Sequence, residues 1–160
     1  MIFYRYGEFK DDFLKKAFED INSIGENNSL VFIHLDSGGG EGHIRDHLLF
    51  TLKRLSKDKN ITIVVSYVAS FAFDMLYNLK DDVNIQILDG AYAVIHKSIW
   101  EVKVEAGGTL SNVDKYKMEF QKNIGFCYDF LTSEEKQKYD KGEDVVLGQD
   151  RLNQVFSKKY

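Results

Sequence analysis

Proline is missing from all 160 residues of this chain. No element is therefore stopped by a proline ring, and glycine and short polar side chains must mark the turns. Cysteine occurs once, at Cys127, which excludes an intramolecular disulfide and any zinc site built on several cysteines. No apolar run approaches the roughly 20 residues that span a bilayer. The opening Met1-Ile2-Phe3-Tyr4-Arg5-Tyr6 lacks the pattern of a secretory leader. A cytoplasmic location with no membrane partner is expected. The net charge is −4, from 21 Lys and Arg against 25 Asp and Glu. These charges are spread along the chain without the basic stripe that phosphate backbones require, which argues against a nucleic-acid partner. What the chain has in quantity is aromatic: 12 Phe and 9 Tyr. With 44% apolar and 29% charged residues, it reads as one ordinary globular domain over 1–160, long enough to bury a sizeable core.

The elements follow from periodicity. Ile2 to Tyr6 alternates and reads as a short strand closed by Gly7. Asp11 or Asp12 is expected to cap a helix with Phe13, Leu14, Ala17, Phe18 and Ile21 at helical spacing. Leu30 to Leu35 reads as a strand running into Asp36-Ser37-Gly38-Gly39-Gly40. A second helix aligns Ile44, Leu48, Leu49, Leu52 and Leu55 on one face. Ile61 to Val65 is a continuous β-branched run, the pattern of a strand buried on both faces. It leads through Val68-Ala69-Ser70 into a helix with Phe73, Leu76 and Tyr77. Val83 to Leu88 and Ala91 to Ile95 read as two strands around Asp89-Gly90, a hairpin dipeptide, or as strands in different layers. Lys103 to Gly108 is a loop and Leu110 to Leu131 mostly helical. Thr132-Ser133-Glu134-Glu135 is a capping box opening another helix that Gly142 ends. Asp144 to Leu147 is extended, and Gln149 to Ser157 is a closing helix. Strands alternating with helices predict an α/β fold with a mainly parallel sheet.

Three residues at element ends fit an acyl-transfer triad. Ser70 begins a helix, where free backbone N–H groups favour a developing oxyanion. His96 lies just past a strand, and histidine is the usual base for a serine nucleophile. Asp144 opens a short extended segment, and a carboxylate orients the imidazole. Any chain of this length contains such a set, and Ser70 as a plain N-cap is the alternative. The Asp36 to Gly40 run lies between a strand and a helix, and its glycines allow close backbone approach to an oxyanion or a phosphate. It lacks the Gly-Lys-Ser/Thr of a P-loop and the spacing of a dinucleotide fingerprint. His43 and His47 stand four apart on the second helix without the glutamate of a zinc-protease helix. A solvated face is the expected reading, with no metal site and no cofactor. His34 and Cys127 read as structural. Trp100, Phe126, Tyr128 and Phe130 read as core or subunit interface.

Taken in order, these pieces resemble the Clp protease proteolytic subunit and the wider ClpP/crotonase superfamily. Tyr6-Gly7-Glu8 resembles Y-G-E-I of the family's first strand, and Leu35 to Gly40 resembles I-N-S-P-G-G. Val68-Ala69-Ser70-Phe71-Ala72 resembles A-A-S-M-G around the nucleophile. Ala93-Val94-Ile95-His96-Lys97 resembles V-M-I-H-Q around the base, and Glu143 to Leu147 resembles R-D-x-F-L. The matches cover nearly the whole chain. The resemblance implies stacked ββα units in a spiral, a small second sheet around Ala91 to His96, and a handle-like helix from Leu110. It implies a serine endopeptidase acting on peptide or unfolded protein through Ser70, His96 and Asp144. The backbone of Gly39 and Phe71 would form the oxyanion hole, and Gly38 and Gly40 would bind substrate as an added strand. It also implies a homo-oligomer. Gly38 stands for the usual proline, Ala72 for the usual glycine, and Lys97-Ser98 for Gln-Pro. The chain starts at the family's first core strand, so the resemblance does not extend to an ATPase partner. A catalytically silent member kept for binding or assembly, and a crotonase-like acyl-CoA enzyme, remain as alternatives.

Overall fold

The computed structural model describes residues 1–26, 29–96 and 129–157. The β-branched and aromatic runs form strands β1 (Ile2–Tyr6), β2 (Leu30–Ser37), β3 (Asn60–Ala69), β4 (Asn84–Ile95) and β5 (Val145–Gly148). They make one sheet in the order β1-β2-β3-β4-β5. The first four run parallel and β5 joins β4 antiparallel. Helices α1 (Asp11–Ser23), α2 (Gly42–Leu55) and α3 (Ser70–Leu79) are the crossovers between successive parallel strands. Helices α4 (Ser133–Asp140) and α5 (Gln149–Phe156) precede and follow β5. The chain has the mainly parallel α/β architecture expected of its alternating pattern.

The core lies on one side of the sheet. Val31, Leu35, Ile61, Ile63 and Val65 are buried, and they belong to one cluster with Phe13 of α1, Ile44, Leu48 and Leu52 of α2, and Met75, Leu76 and Leu79 of α3. Between them in β3, Thr62 and Val64 are only half-buried. The run 61–65 is therefore covered fully on its helix side alone, not on both faces. Its β-branched residues suit the pleat as well as the core. The other face carries Ile2, Tyr4 and Tyr6 of β1 beside Phe32, His34 and Asp36 of β2. Ile2, Tyr4 and Tyr6 are each more than half exposed.

The Asp89-Gly90 dipeptide does not turn a hairpin. Both halves of β4 run the same way beside β3, and the stretch Val65 to Tyr67 faces Ile87 to Tyr92. The extra residues bulge out, with Gly90 at φ +76°. The Gln149 amide clasps the bulge: its Oε1 accepts from Gly90 N at 2.9 Å and its Nε2 donates to Asp89 Oδ1 at 3.0 Å. A separate second sheet around Ala91 to His96 is corrected with it. Ala91, Ala93 and Ile95 continue the buried alternation of the same sheet, and the described residues form a single sheet.

The capping box forms as expected, with Thr132 Oγ1 accepting from Glu135 N and Glu135 Oε2 accepting from Thr132 N. Glu135 also binds Arg151 of α5 in a fork, at 2.9 Å from both Nε and Nη2. Arg151 donates further to the Phe130 carbonyl, which ties α4, α5 and the segment before α4 together. Phe130 packs on Phe73 and Tyr77 of α3, in keeping with a core role. The body of the expected handle-like helix, the loop 103–108, and Lys97, Ser98, Trp100, Phe126, Cys127 and Tyr128 lie outside the described residues.

Candidate active site

Three parallel strands deliver their C-terminal ends to one place. β2 ends in the glycine loop, β3 ends at Ser70, and β4 ends at His96. Such carboxyl ends are where open parallel sheets hold ligands.

Ser70 sits at a sharp strand-to-helix turn. Its φ is +51°, and among the described residues it alone combines a side chain with positive φ. That conformation costs on the order of 1–3 kcal/mol and persists only where the surroundings enforce it. No side chain caps α3, so the hydroxyl is not spent as an N-cap. Instead Ser70 Oγ lies 3.0 Å from His96 Nε2. With the ring proton on Nδ1, Nε2 accepts from the serine hydroxyl, the geometry a general base requires.

The acid is placed by register. Val145 pairs with Ile95 in the antiparallel ladder, so Asp144 falls beside His96. The distance from His96 Nδ1 to Asp144 Oδ1 is 3.9 Å, longer than a hydrogen bond. The Asp144 side chain is 65% exposed. The three expected residues are thus brought together, with the serine–histidine half in contact and the acid open.

The glycine loop presses on the turn. Gly39 has φ +88°, and a Cβ there would lie 2.7 Å from Ala69 O, 2.8 Å from Ser70 Cβ and 3.0 Å from Phe71 N. Only glycine admits this approach. Its N–H donates at 3.2 Å to Ser37 Oγ, and Ser37 is buried. The Phe71 N–H is the second amide of α3 and has no helical carbonyl four residues back. Gly40, at φ +143°, is bridged to Phe9. Phe9 N donates to Gly39 O at 2.6 Å, and Glu41 N donates to Phe9 O at 2.9 Å. In a parallel bridge the central residue's own N–H and C=O point away from the partner, so those of Gly40 face away from Phe9. Gly38 borders Tyr67, whose ring and hydroxyl would stand 4.0 Å from a Cβ there. Burial pushes the Tyr67 phenol up, and the neighbouring Tyr92, Asp36 and Asp144 add to it.

Several of these features carried no sequence signal. Phe9 as the pin of the loop and the Tyr67–Tyr92 ring pair at 4.8 Å depend on register across strands. So does a polar chain on the open face: Ser66 Oγ donates to Asp36 Oδ2 at 2.9 Å, and His34 lies 3.3 Å from both Ser66 Oγ and Tyr6 Oη. His34 of β2 therefore joins side chains of β1 and β3. Ala72 is fully buried in the core cluster. His43 faces Glu41 at 3.4 Å and Asp11 at 4.0 Å, and no group of three metal-ligating side chains occurs among the described residues. No described helix is long and apolar enough to cross a membrane.

No family model matches the chain. A stretch of 72 residues, 44% of this chain, is 38% identical to a chitin synthase of Aspergillus niger, of which it covers 4%. The match thus spans a small fraction of that relative's length. Among solved structures, the ClpP protease catalytic domain from Plasmodium falciparum aligns with 96% of this chain and 80% of its own, with a TM-score of 0.66 and 17% identity. The fold is similar to that of ClpP.

Proposed function

We propose that this chain is a ClpP-like serine endopeptidase. The observation that carries the reading is Ser70 Oγ at 3.0 Å from His96 Nε2, on a strained turn held against Gly39. In this reading His96 takes the Ser70 proton as Oγ attacks the peptide carbonyl. The oxyanion is stabilised by the Phe71 N–H, joined by Gly39 N–H when it exchanges Ser37 Oγ for the stronger acceptor. His96 then returns the proton to the leaving amine, and water releases the acyl group by the same path. The outward N–H and C=O of Gly40 fit an extended peptide added as a strand, with Gly38 beside it. The substrate is accordingly a peptide or a locally unfolded protein. Hydrolysis of an unfolded protein by wild type, lost in Ser70→Ala, tests this. Equal hydrolysis by the two would refute it.

The exposed β1–β2 face, with Ile2, Tyr4, Tyr6, Leu30 and Phe32, supports self-association in the manner of a homo-oligomer. A monomeric mass at micromolar concentration would contradict that. One observation favours a second reading. Asp144 is exposed and 3.9 Å from His96, which suits a silent member kept for binding or assembly. Retention of substrate peptide without turnover would select it.

A further inference from the structure

We infer that Arg45 is a positioning residue that holds the Phe71 amide in place for the oxyanion. The inference rests on the peptidase reading and extends it to a residue that touches neither substrate nor the reacting atoms. The first turn of α3 has two weaknesses: its leading residue is at φ +51° and no side chain caps it. The Phe71 ring supplies what the cap does not. It lies on Gly42, where an added Cβ would meet its Cζ at 3.4 Å. One turn along α2, the Arg45 guanidinium stands 5.1 Å from its centroid, within the range of a cation–π contact. Arg45 Nη1 also lies 3.9 Å from Asp74 Oδ2, longer than a hydrogen bond but close enough for charge attraction, while its Nε stands 2.7 Å from Asp46 Oδ1 of its own helix. Asp74 follows Phe71 by three residues and so shares its helix face. One side chain of α2 therefore grips the residue after the nucleophile and the next turn of the same helix. The grip is well shielded, since the side chains of Arg45 and Asp74 are 12% and 16% exposed. A planar guanidinium can stack on a ring and reach a carboxylate at once, and an ammonium is less suited to both. Because α2 begins directly after the glycine loop, the grip also fixes that loop to the turn it presses on.

The test compares wild type, Arg45→Met, Arg45→Lys and Phe71→Leu in acylation by a chromogenic peptide ester. Loss of a whole oxyanion donor costs about 100- to 1,000-fold in rate, and loosening one donor should cost about tenfold. The loss should appear in kcat with KM little changed, be partly restored in Arg45→Lys, and not add in the Arg45→Met/Phe71→Leu double variant. Unchanged kcat in Arg45→Met would overturn the inference, as would full additivity. A second readout does not depend on turnover. The 15N order parameter of the Phe71 amide should fall in Arg45→Met from the value near 0.85 typical of rigid backbone. An unchanged order parameter would overturn the grip. Failure of wild type to acylate while the order parameter falls would instead refute the peptidase reading and leave the grip standing.

Discussion

Alanine at position 39 should damage both fold and site, whereas alanine at position 38 should leave both nearly intact. Gly39 has φ +88°, which costs an alanine on the order of 1–3 kcal/mol. Its Cβ would then stand 2.7 Å from Ala69 O, 2.8 Å from Ser70 Cβ and 3.0 Å from Phe71 N. None of these is the end of a flexible side chain, so relief requires the Ser70 turn to move. Such overpacking typically costs about 1–3 kcal/mol more. The sum, about 2–6 kcal/mol, corresponds to a melting temperature lowered by roughly 4–24 °C for a chain of this size. The Ser70–His96 contact should be disrupted as well. At Gly38 the nearest atoms to a Cβ are in the Tyr67 ring and hydroxyl at 4.0 Å, ordinary contact. Thermal melts of both variants, run beside the rate of covalent capture by a fluorophosphonate, give the comparison. If Gly39→Ala melts with Gly38→Ala and is captured at the same rate, the loop is not pressed on the turn and the reasoning is wrong.

Three further outcomes are expected. Ser70→Gly should melt above Ser70→Ala by a few degrees, because glycine relieves about 1 kcal/mol at positive φ; equal melting temperatures would remove the strain argument. Asp144→Asn should slow hydrolysis by about tenfold, well short of the roughly 10,000-fold loss seen when a buried, hydrogen-bonded acid is replaced, since this acid is exposed and 3.9 Å away. A loss of that larger size would mean that the carboxylate closes on His96 in the working state. The Arg151 fork holds the Glu135 carboxyl below the usual glutamate range. Its stabilisation is present above the unfolded pKa and is lost as pH falls through the folded one. Glu135→Gln should therefore cost about 1–2 kcal/mol at neutral pH, with the difference from wild type vanishing in acid melts. A difference that persists in acid would refute the linkage.

Patterns set by local chemistry were legible in the sequence. The helices of 11–23, 42–55 and 133–140 follow from spacing and the last also from its capping box, whereas Asp11 and Asp12 lie inside the first helix, which begins after Lys10 without a side-chain cap. The Ser70 to His96 pairing was legible through the motifs around them. What was not legible depends on register between distant strands. Asp89-Gly90 reads as a hairpin locally, but the buried Ala91, Ala93 and Ile95 hold both halves of β4 in one direction. Thr62 and Val64 belong to a β-branched run, yet the elements that cover the sheet lie on its other side. The pinning of Gly40 by Phe9 and the grip of Arg45 on Phe71 join residues about 30 apart in sequence, and no spacing rule announces them.

The most direct test of the central claim is the site of covalent capture. Intact protein treated with a fluorophosphonate and mapped by peptide mass should carry one adduct, on Ser70, and His96→Ala should abolish it. No adduct on Ser70 in wild type, or the same adduct formed at full rate without His96, would contradict the account.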